Sequence, residues 1–154
     1  MAEDSMTVQI TGLDGIEKRL ELLPEKLRRK AIRQALTDGT ELIRDDAQAR
    51  VPMRKPVRGW MAFLAREDEP HLRDAIVSRV SVTAKGASGR VGVDYKKVRH
   101  GHLVEFGTKP HRVRNFQHPG SRKQPVMRPA VDTKGDQAVD VMVSELAKAV
   151  EEEA

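Results

Sequence analysis

The sequence predicts an α+β fold: a small, mainly antiparallel sheet packed with a long N-terminal helix and a C-terminal helix. Three patterns lead to this fold class. Apolar residues recur at helical spacing for about 25 residues after Pro24. Two alternating runs flank a glycine-containing turn in the middle of the chain, and a second helical pattern follows later. The 154 residues are expected to form a single domain, 1–154.

The N-terminal part of the chain is dominated by helical periodicity. A short strand over 7–11 is expected to lead into a helix over 12–23. Pro24 suits the start of the next helix, because its missing N–H costs nothing in a first turn. This helix should extend to about Arg50, and Gly39 inside it indicates either a kink or a close contact with another backbone.

The central region predicts a β-hairpin. Apolar residues alternate over 76–83 and over 90–95, and a turn with two glycines over 84–89 separates the two runs. The alternation over 102–106 suggests a third strand, with a helical turn as the alternative, and Gly107 ends this element.

Proline and glycine mark two segments as loops. We expect mobile loops near 52–70 and over 109–124, since neither shows apolar periodicity. The last element is predicted to be an amphipathic helix that starts at Pro125 and is broken near Gly135.

Composition predicts a thin core. Apolar residues make up 38% of the chain, aromatic residues 3% and charged residues 33%, whereas globular proteins are nearer half apolar and a quarter charged, by a rough count. This composition has two explanations: part of the isolated chain is unfolded, or neighbouring subunits complete the fold. We expect both. There is no cysteine and no apolar run of the roughly 18 residues that span a bilayer, so neither disulfides nor a membrane partner are expected.

Positive charge is concentrated in one segment. Residues 96–128 contain nine Lys or Arg and a single acid, Glu105, a net +8 against +5 for the whole chain. This segregation favours a charged partner, nucleic acid being the usual one, over the alternative of a solvated loop. Phe116 is the only aromatic residue in the loop over 109–128, so contact with DNA should be non-specific and salt-sensitive.

Enzymatic activity is not expected. The chain has no cysteine nucleophile, no Gly-x-Ser-x-Gly turn and no phosphate-binding loop, and its carboxylates are spread over helix faces instead of clustering around a metal. A metal site is also not expected, because the spacing of the nearby histidines matches no compact ligand pattern. Those histidines are His100, His102, His111 and His118. We therefore expect no catalytic residue and no cofactor.

Two single residues each allow two interpretations. Trp60, the only tryptophan, either fills the core beside the long helix or is an exposed anchor for a partner. Glu105 either neutralises repulsion within one subunit or reaches an arginine of a neighbouring subunit.

A family resemblance rests on two motifs. The first motif is the run His102-Leu103-Val104-Glu105-Phe106-Gly107-Thr108. The second comes after a variable loop and before a closing helix, and it reads Pro125-Val126-Met127-Arg128-Pro129-Ala130. In this arrangement the chain resembles the gene-product-ten-like family of lambdoid phages. Members are head–tail connector, tail-completion or minor tail proteins. The segments 47–52 and 72–76 also fit, so the resemblance covers roughly residues 8 to 150, with 60–70 as an apparent insertion.

The resemblance implies a structural protein of the head–tail junction or tail end, located in the virion and in the host cytoplasm before assembly. It implies a ring-shaped homo-oligomer, hexameric by default, that binds neck or tail-tube proteins. Non-specific contact with genome DNA is expected from the basic segment and not from the resemblance. The alternative is a non-specific DNA-binding protein that uses the loop over 109–128. The residues predicted for partner and assembly contacts are Trp60, Glu105, Phe106, Gly107, Arg112, Arg114, Arg122, Lys123 and Arg128.

Overall fold

The computed structural model describes residues 14–52, 71–99, 101–113 and 116–152. Two long helices are accompanied by shorter helices and small antiparallel hairpins, which confirms the α+β class. No helix within these ranges is both long and apolar enough to cross a membrane. The elements are α1 (Asp14–Leu22), α2 (Glu25–Arg50), α3 (Leu72–Ala75), β1 (Ile76–Thr83), β2 (Gly86–Val93), α4 (Gly101–Phe106), β3 (His111–Val113), β4 (Phe116–His118) and α5 (Met127–Glu152).

Helices α2 and α5 form an antiparallel pair. Each contains 26 residues and is therefore about 39 Å long. Near the start of α2, Ala31 packs in a cluster with Val150. At its other end, Arg50 donates a hydrogen bond of 2.9 Å from Nη2 to Thr133 Oγ1, early in α5. The two helices therefore run in opposite directions, and the remaining elements are arranged around them.

Gly39 allows α2 and α5 to approach closely. A Cβ atom built at Gly39 would lie 2.6 Å from Met142 Cγ and 3.0 Å from the carbonyl oxygen of Ala138. Helix α2 continues through this position to Arg50. Of the two expectations for Gly39, the close contact with another backbone is therefore confirmed.

Among the described residues, the apolar interior includes two clusters at opposite ends of the helix pair. Alanine and valine dominate both, so the packing is shallow, in agreement with the low apolar content of the sequence. One cluster joins α2, the β1–β2 hairpin and the start of α5, through Ala47, Val51, Leu72, Ala75, Ile76, Val98, Val126 and Ala130. The other joins α1 to the ends of the pair through Leu20, Ala31 and Val150.

Strands β1 and β2 form the predicted hairpin, in register from Ile76 opposite Val93 to Thr83 opposite Gly86. The turn is shorter than the sequence suggested, because β2 already begins at Gly86. The hairpin lies against α2: a Cβ at Gly89 would be 2.5 Å from Thr40 Cγ2. A residue without a side chain is needed at that contact.

Two expectations are wrong: the third strand and the break at Gly135. Residues 101–106 form helix α4 and not a third strand, so the helical alternative is correct. The region 109–124 contains the short β3–β4 hairpin, which the sequence did not predict. The mobility expected for that region stays a prediction. Helix α5 starts at Met127 and continues through Gly135 without a break. The strand expected over 7–11 and most of the loop near 52–70, including Trp60, fall outside the described residues.

The glycines inside the two long helices, Gly39 and Gly135, should respond in opposite ways to alanine. Gly135→Ala should raise the free energy of unfolding by up to about 1 kcal/mol, because a Cβ there meets only Val131 Cγ1, at 3.9 Å, and alanine favours the helix. Gly39→Ala should lower the free energy of unfolding by about 1 kcal/mol or more, because overpacking against α5 exceeds the gain in propensity. Urea denaturation of both variants measures the difference. A stabilised Gly39→Ala protein would contradict the close packing.

Candidate assembly surface

Helix α4 is held against the β1–β2 hairpin at its first residue. Gly101 is buried, and a Cβ there would lie 2.9 Å from Val93 Cγ1 and 3.3 Å from Leu72 Cδ1. The preceding segment is anchored by Val98, which is also buried, and by its N–H, which donates to the carbonyl oxygen of Asp94 at 3.0 Å. The start of α4 is therefore fixed to the sheet.

Glu105 in α4 binds the N-terminus of α5. Its Oε2 accepts hydrogen bonds from the backbone N–H of Val126 at 2.8 Å and of Met127 at 3.2 Å. Its Oε1 accepts a longer one, 3.5 Å, from the N–H of Arg128. These groups are at a helix start, where backbone N–H groups lack partners within the helix and the helix dipole favours a negative charge.

The donors at the start of α5 are satisfied almost completely by this one carboxylate. After Arg128 comes Pro129, which has no N–H, and the N–H of Ala130 already donates to the carbonyl oxygen of Val126. Glu105 therefore acts as a capping residue supplied by a segment more than 20 residues earlier. It forms no ion pair with a described Lys or Arg side chain. An ionic contact with a neighbouring subunit remains a prediction.

Gly107 turns the chain away from α4. Its φ is +70°, in the left-handed region that disfavours other residues. A Cβ there would also lie 2.6 Å from the carbonyl oxygen of Ser121 and 2.7 Å from the N of Lys123. The next residue, Thr108, exchanges two backbone hydrogen bonds with Ser121, of 3.0 and 3.1 Å. Gly107 therefore lets the segment that returns from the β3–β4 hairpin pass directly beside the end of α4.

Phe106 and Leu103 lie on the outside of α4. Phe106 is 69% exposed and Leu103 39%, while Tyr95 nearby is 56% exposed and its ring is 6.4 Å from that of His102. Among the described residues these are three of the four large hydrophobic side chains that remain exposed; the fourth, Leu22, is on α1. We call Tyr95, His102, Leu103, Phe106, Arg122 and Lys123 the α4 surface.

Cations lie in the chain segments that adjoin this apolar centre. Arg122 and Lys123 adjoin Gly107, and Lys96 and Lys97 follow Tyr95 in the chain. Eight Lys and Arg side chains of the basic segment are exposed, and none forms an ion pair with another described residue; they are Lys96, Lys97, Arg99, Lys109, Arg112, Arg122, Lys123 and Arg128. Their charge is therefore available to a partner.

The histidines do not gather into a metal centre where the structure describes them. His111 and His118 stack across the β3–β4 hairpin with ring centroids 5.0 Å apart, and His102 lies on α4 beside Tyr95. No group of three or more His, Cys, Asp or Glu among the described residues could hold a metal ion. His100 falls outside the described residues.

The structure brings several of the sequence-predicted contact residues together. The junction between α4 and α5 is built by Glu105, Gly107 and the backbone of Arg128. Next to this junction, three of the predicted residues are exposed: Phe106, Arg122 and Lys123. Arg112 is exposed on β3, farther along the hairpin, and Arg114 and Trp60 fall outside the described residues.

Sequence reasoning missed the capping role of Glu105 and the exposed Leu103 and Tyr95. Pro129 was a usable signal for the first, since proline in a first turn marks a helix start.

Comparison with known proteins gives one match. The family model HK97-gp10-like, described as bacteriophage HK97 gp10, a tail component, matches residues 14–107. The match extends from α1 to the glycine that follows α4, so the basic hairpin and α5 lie beyond it. No curated protein and no solved structure matches the chain.

Removal of the Glu105 carboxylate should destabilise the protein. Glu105→Ala should lower the free energy of unfolding by about 1–2 kcal/mol, because three N–H groups lose their acceptor. Glu105→Gln should lose less, since an amide oxygen still accepts. Glu21→Ala, an exposed acid on α1, is the matched control and should change stability by less than about 0.5 kcal/mol.

Chemical denaturation measures these free energies of unfolding, and hydrogen exchange at Val126 and Met127 reports the local effect. Equal stability of Glu105→Ala and the control would show that the cap contributes nothing.

Proposed function

Because the chain belongs to the HK97 gp10-like family of phage tail components, we propose that it completes the tail or joins it to the head–neck complex. Family membership makes the chain a structural component of the virion. The proposal adds that the protein is made in the host cytoplasm and then assembles as a ring, hexameric by default, with neck or tail-tube proteins as its partners. Its role is assembly, without a catalytic step.

The observation that carries this proposal is the exposed apolar centre of the α4 surface, next to chain segments that expose Arg122 and Lys123. Protein interfaces have this anatomy, with buried aromatic anchors at the centre and polar groups around them. Phe106 is exposed on a helix that is fixed at two other residues, at Gly101 against the hairpin and at Glu105 on α5. The side chain is thus presented on a rigid element and loses little freedom when a partner covers it.

The shallow interior supports assembly with neighbours. Among the described residues, the larger side chains that are fully buried are only Ile76 and Val98. The long helices α2 and α5 are packed largely through alanine and glycine, which brings their backbones close but buries little apolar area. Further burial between subunits would add the stabilisation that the single chain lacks.

Phe106 should be required for assembly but not for folding. Phe106→Ala should reduce incorporation into particles at least about tenfold, because truncating an interface anchor costs about 2 kcal/mol or more. Its free energy of unfolding should stay within about 0.5 kcal/mol of the wild type, since the ring is mostly exposed. The measurement is the yield of complete particles when each variant is supplied to a phage whose own copy of the gene is deleted.

The matched control is Leu22→Ala, which truncates an 85% exposed side chain on α1. It should leave the particle yield unchanged. A normal particle yield with Phe106→Ala, or an equal loss of yield with both variants, would show that the α4 surface is not required for assembly.

A second candidate function, non-specific DNA binding through residues 109–128, is favoured by the unpaired cations. It predicts that the logarithm of duplex affinity falls linearly with the logarithm of salt concentration. Arg122→Ala combined with Lys123→Ala should make this slope shallower by about 2, roughly 0.9 for each lost phosphate contact. Fluorescence anisotropy measures the slope.

The control for this experiment is Lys26→Ala with Lys30→Ala, which removes two exposed cations from α2 and should leave the slope unchanged. Negligible duplex binding at low salt would exclude the DNA-binding function.

A further inference from the structure

We propose that the α4 surface of one copy binds the outer face of α5 in a second copy. The inference rests on the proposed ring assembly and identifies the two surfaces that would meet in it. These surfaces are complementary in charge, and each also exposes apolar side chains.

The outer face of α5 has a row of carboxylates. Asp132, Asp136 and Asp140 recur every four residues, so they lie on one side of the helix. All three are exposed, and none forms an ion pair with another described residue. Val139 and Val143, each three residues after one of these acids, are only half-buried. The face therefore presents anionic groups next to aliphatic ones.

The α4 surface offers the matching groups. Phe106 and Leu103 supply the apolar centre. Arg122 and Lys123 are exposed, and the backbone of their segment passes next to Gly107, the residue after Phe106. A neighbouring α5 could cover the exposed ring with its valines and set its carboxylates against the cations. Interfaces with such paired patches gain specificity and a defined register.

A chain cannot make most of this contact with itself. Glu105 holds α4 at the first residues of α5, and Asp140 lies 13 positions after Met127, about 20 Å along a rigid helix. Most of the carboxylate row is therefore out of reach of the α4 surface of its own chain. Two different patches that meet between copies make a head-to-tail contact, which closes into a ring when the rotation permits.

DNA explains these observations less well. A phosphate backbone would engage the cations, but it would leave Leu103 and Phe106 uncovered in water and give no role to the acidic row.

Charge reversal on each surface tests the proposal. One variant combines Asp136→Lys with Asp140→Lys, and the other combines Arg122→Glu with Lys123→Glu. Each alone should weaken self-association of the purified full chain at least about a hundredfold, because like charges then oppose each other. An equimolar mixture of the two variants should associate again, as should a chain with all four substitutions. Sedimentation velocity and native mass spectrometry measure the oligomers.

Matched controls reverse the same number of charges elsewhere. Glu17→Lys with Glu21→Lys on α1, and Lys26→Glu with Lys30→Glu on α2, change exposed side chains and should leave association intact. The unfolding free energy of every variant is measured in parallel. Recovery in the mixture also shows that each reversed chain is folded.

The possible failures differ in what they overturn. If both charge-reversed variants still form oligomers of the wild-type size, this interface would be overturned and ring assembly would be left standing. A wild-type chain that is monomeric at every concentration would overturn the contact between copies, and absence from particles as well would overturn the proposed function. Loss of duplex binding without loss of self-association in the Arg122→Glu/Lys123→Glu variant would assign the cations to DNA.

Discussion

The carboxylate of Glu105 connects the two halves of this structure. On one side, α4 is fixed to the β1–β2 hairpin where Gly101 contacts Val93. On the other side, the same helix satisfies the first N–H groups of α5, which in turn packs along α2. A polar interaction is effective here because a helix start leaves several donors without partners, and a single charged acceptor satisfies them together. This contact joins the start of α5 to α4, beside the apolar cluster that joins the start of α5 to α2 and the hairpin.

The same six-residue helix separates residues that build the fold from residues that remain available to a partner. Glu105 turns inward to α5, and Gly107 uses a left-handed conformation that lets the returning segment pass. Phe106, between them, is left outside with cations on the adjacent segment. Folding and presentation are therefore coupled, since the bonds that secure the α4–α5 junction also hold the aromatic ring on the surface. This coupling suits a protein whose function is to be built into a larger assembly.

Patterns of local spacing predicted the longer elements correctly, and long-range contacts explain the errors. Periodicity located α1, α2 and the β1–β2 hairpin within a few residues, because those elements bury one face of a regular repeat. Alternation at His102, Val104 and Phe106 favoured a strand, but three positions are too few to exclude a short helix. In the structure this segment is helical, and Glu105 accepts hydrogen bonds from the start of α5. The break expected at Gly135 does not occur, because packing along α2 exceeds a local cost of about 1 kcal/mol.

The sequence by itself determined the fold class, the two long helices, the central hairpin and the family resemblance, because these depend on repeats and motifs within short stretches of chain. It also located the segregated positive charge and the segment 102–108 around which the candidate site is built. Only the tertiary structure decided that Glu105 caps α5, that Gly39 lies against α5 and that Phe106 remains exposed. Each of these facts is a contact, or the lack of one, between residues distant in sequence, and no local pattern encodes which distant groups will meet.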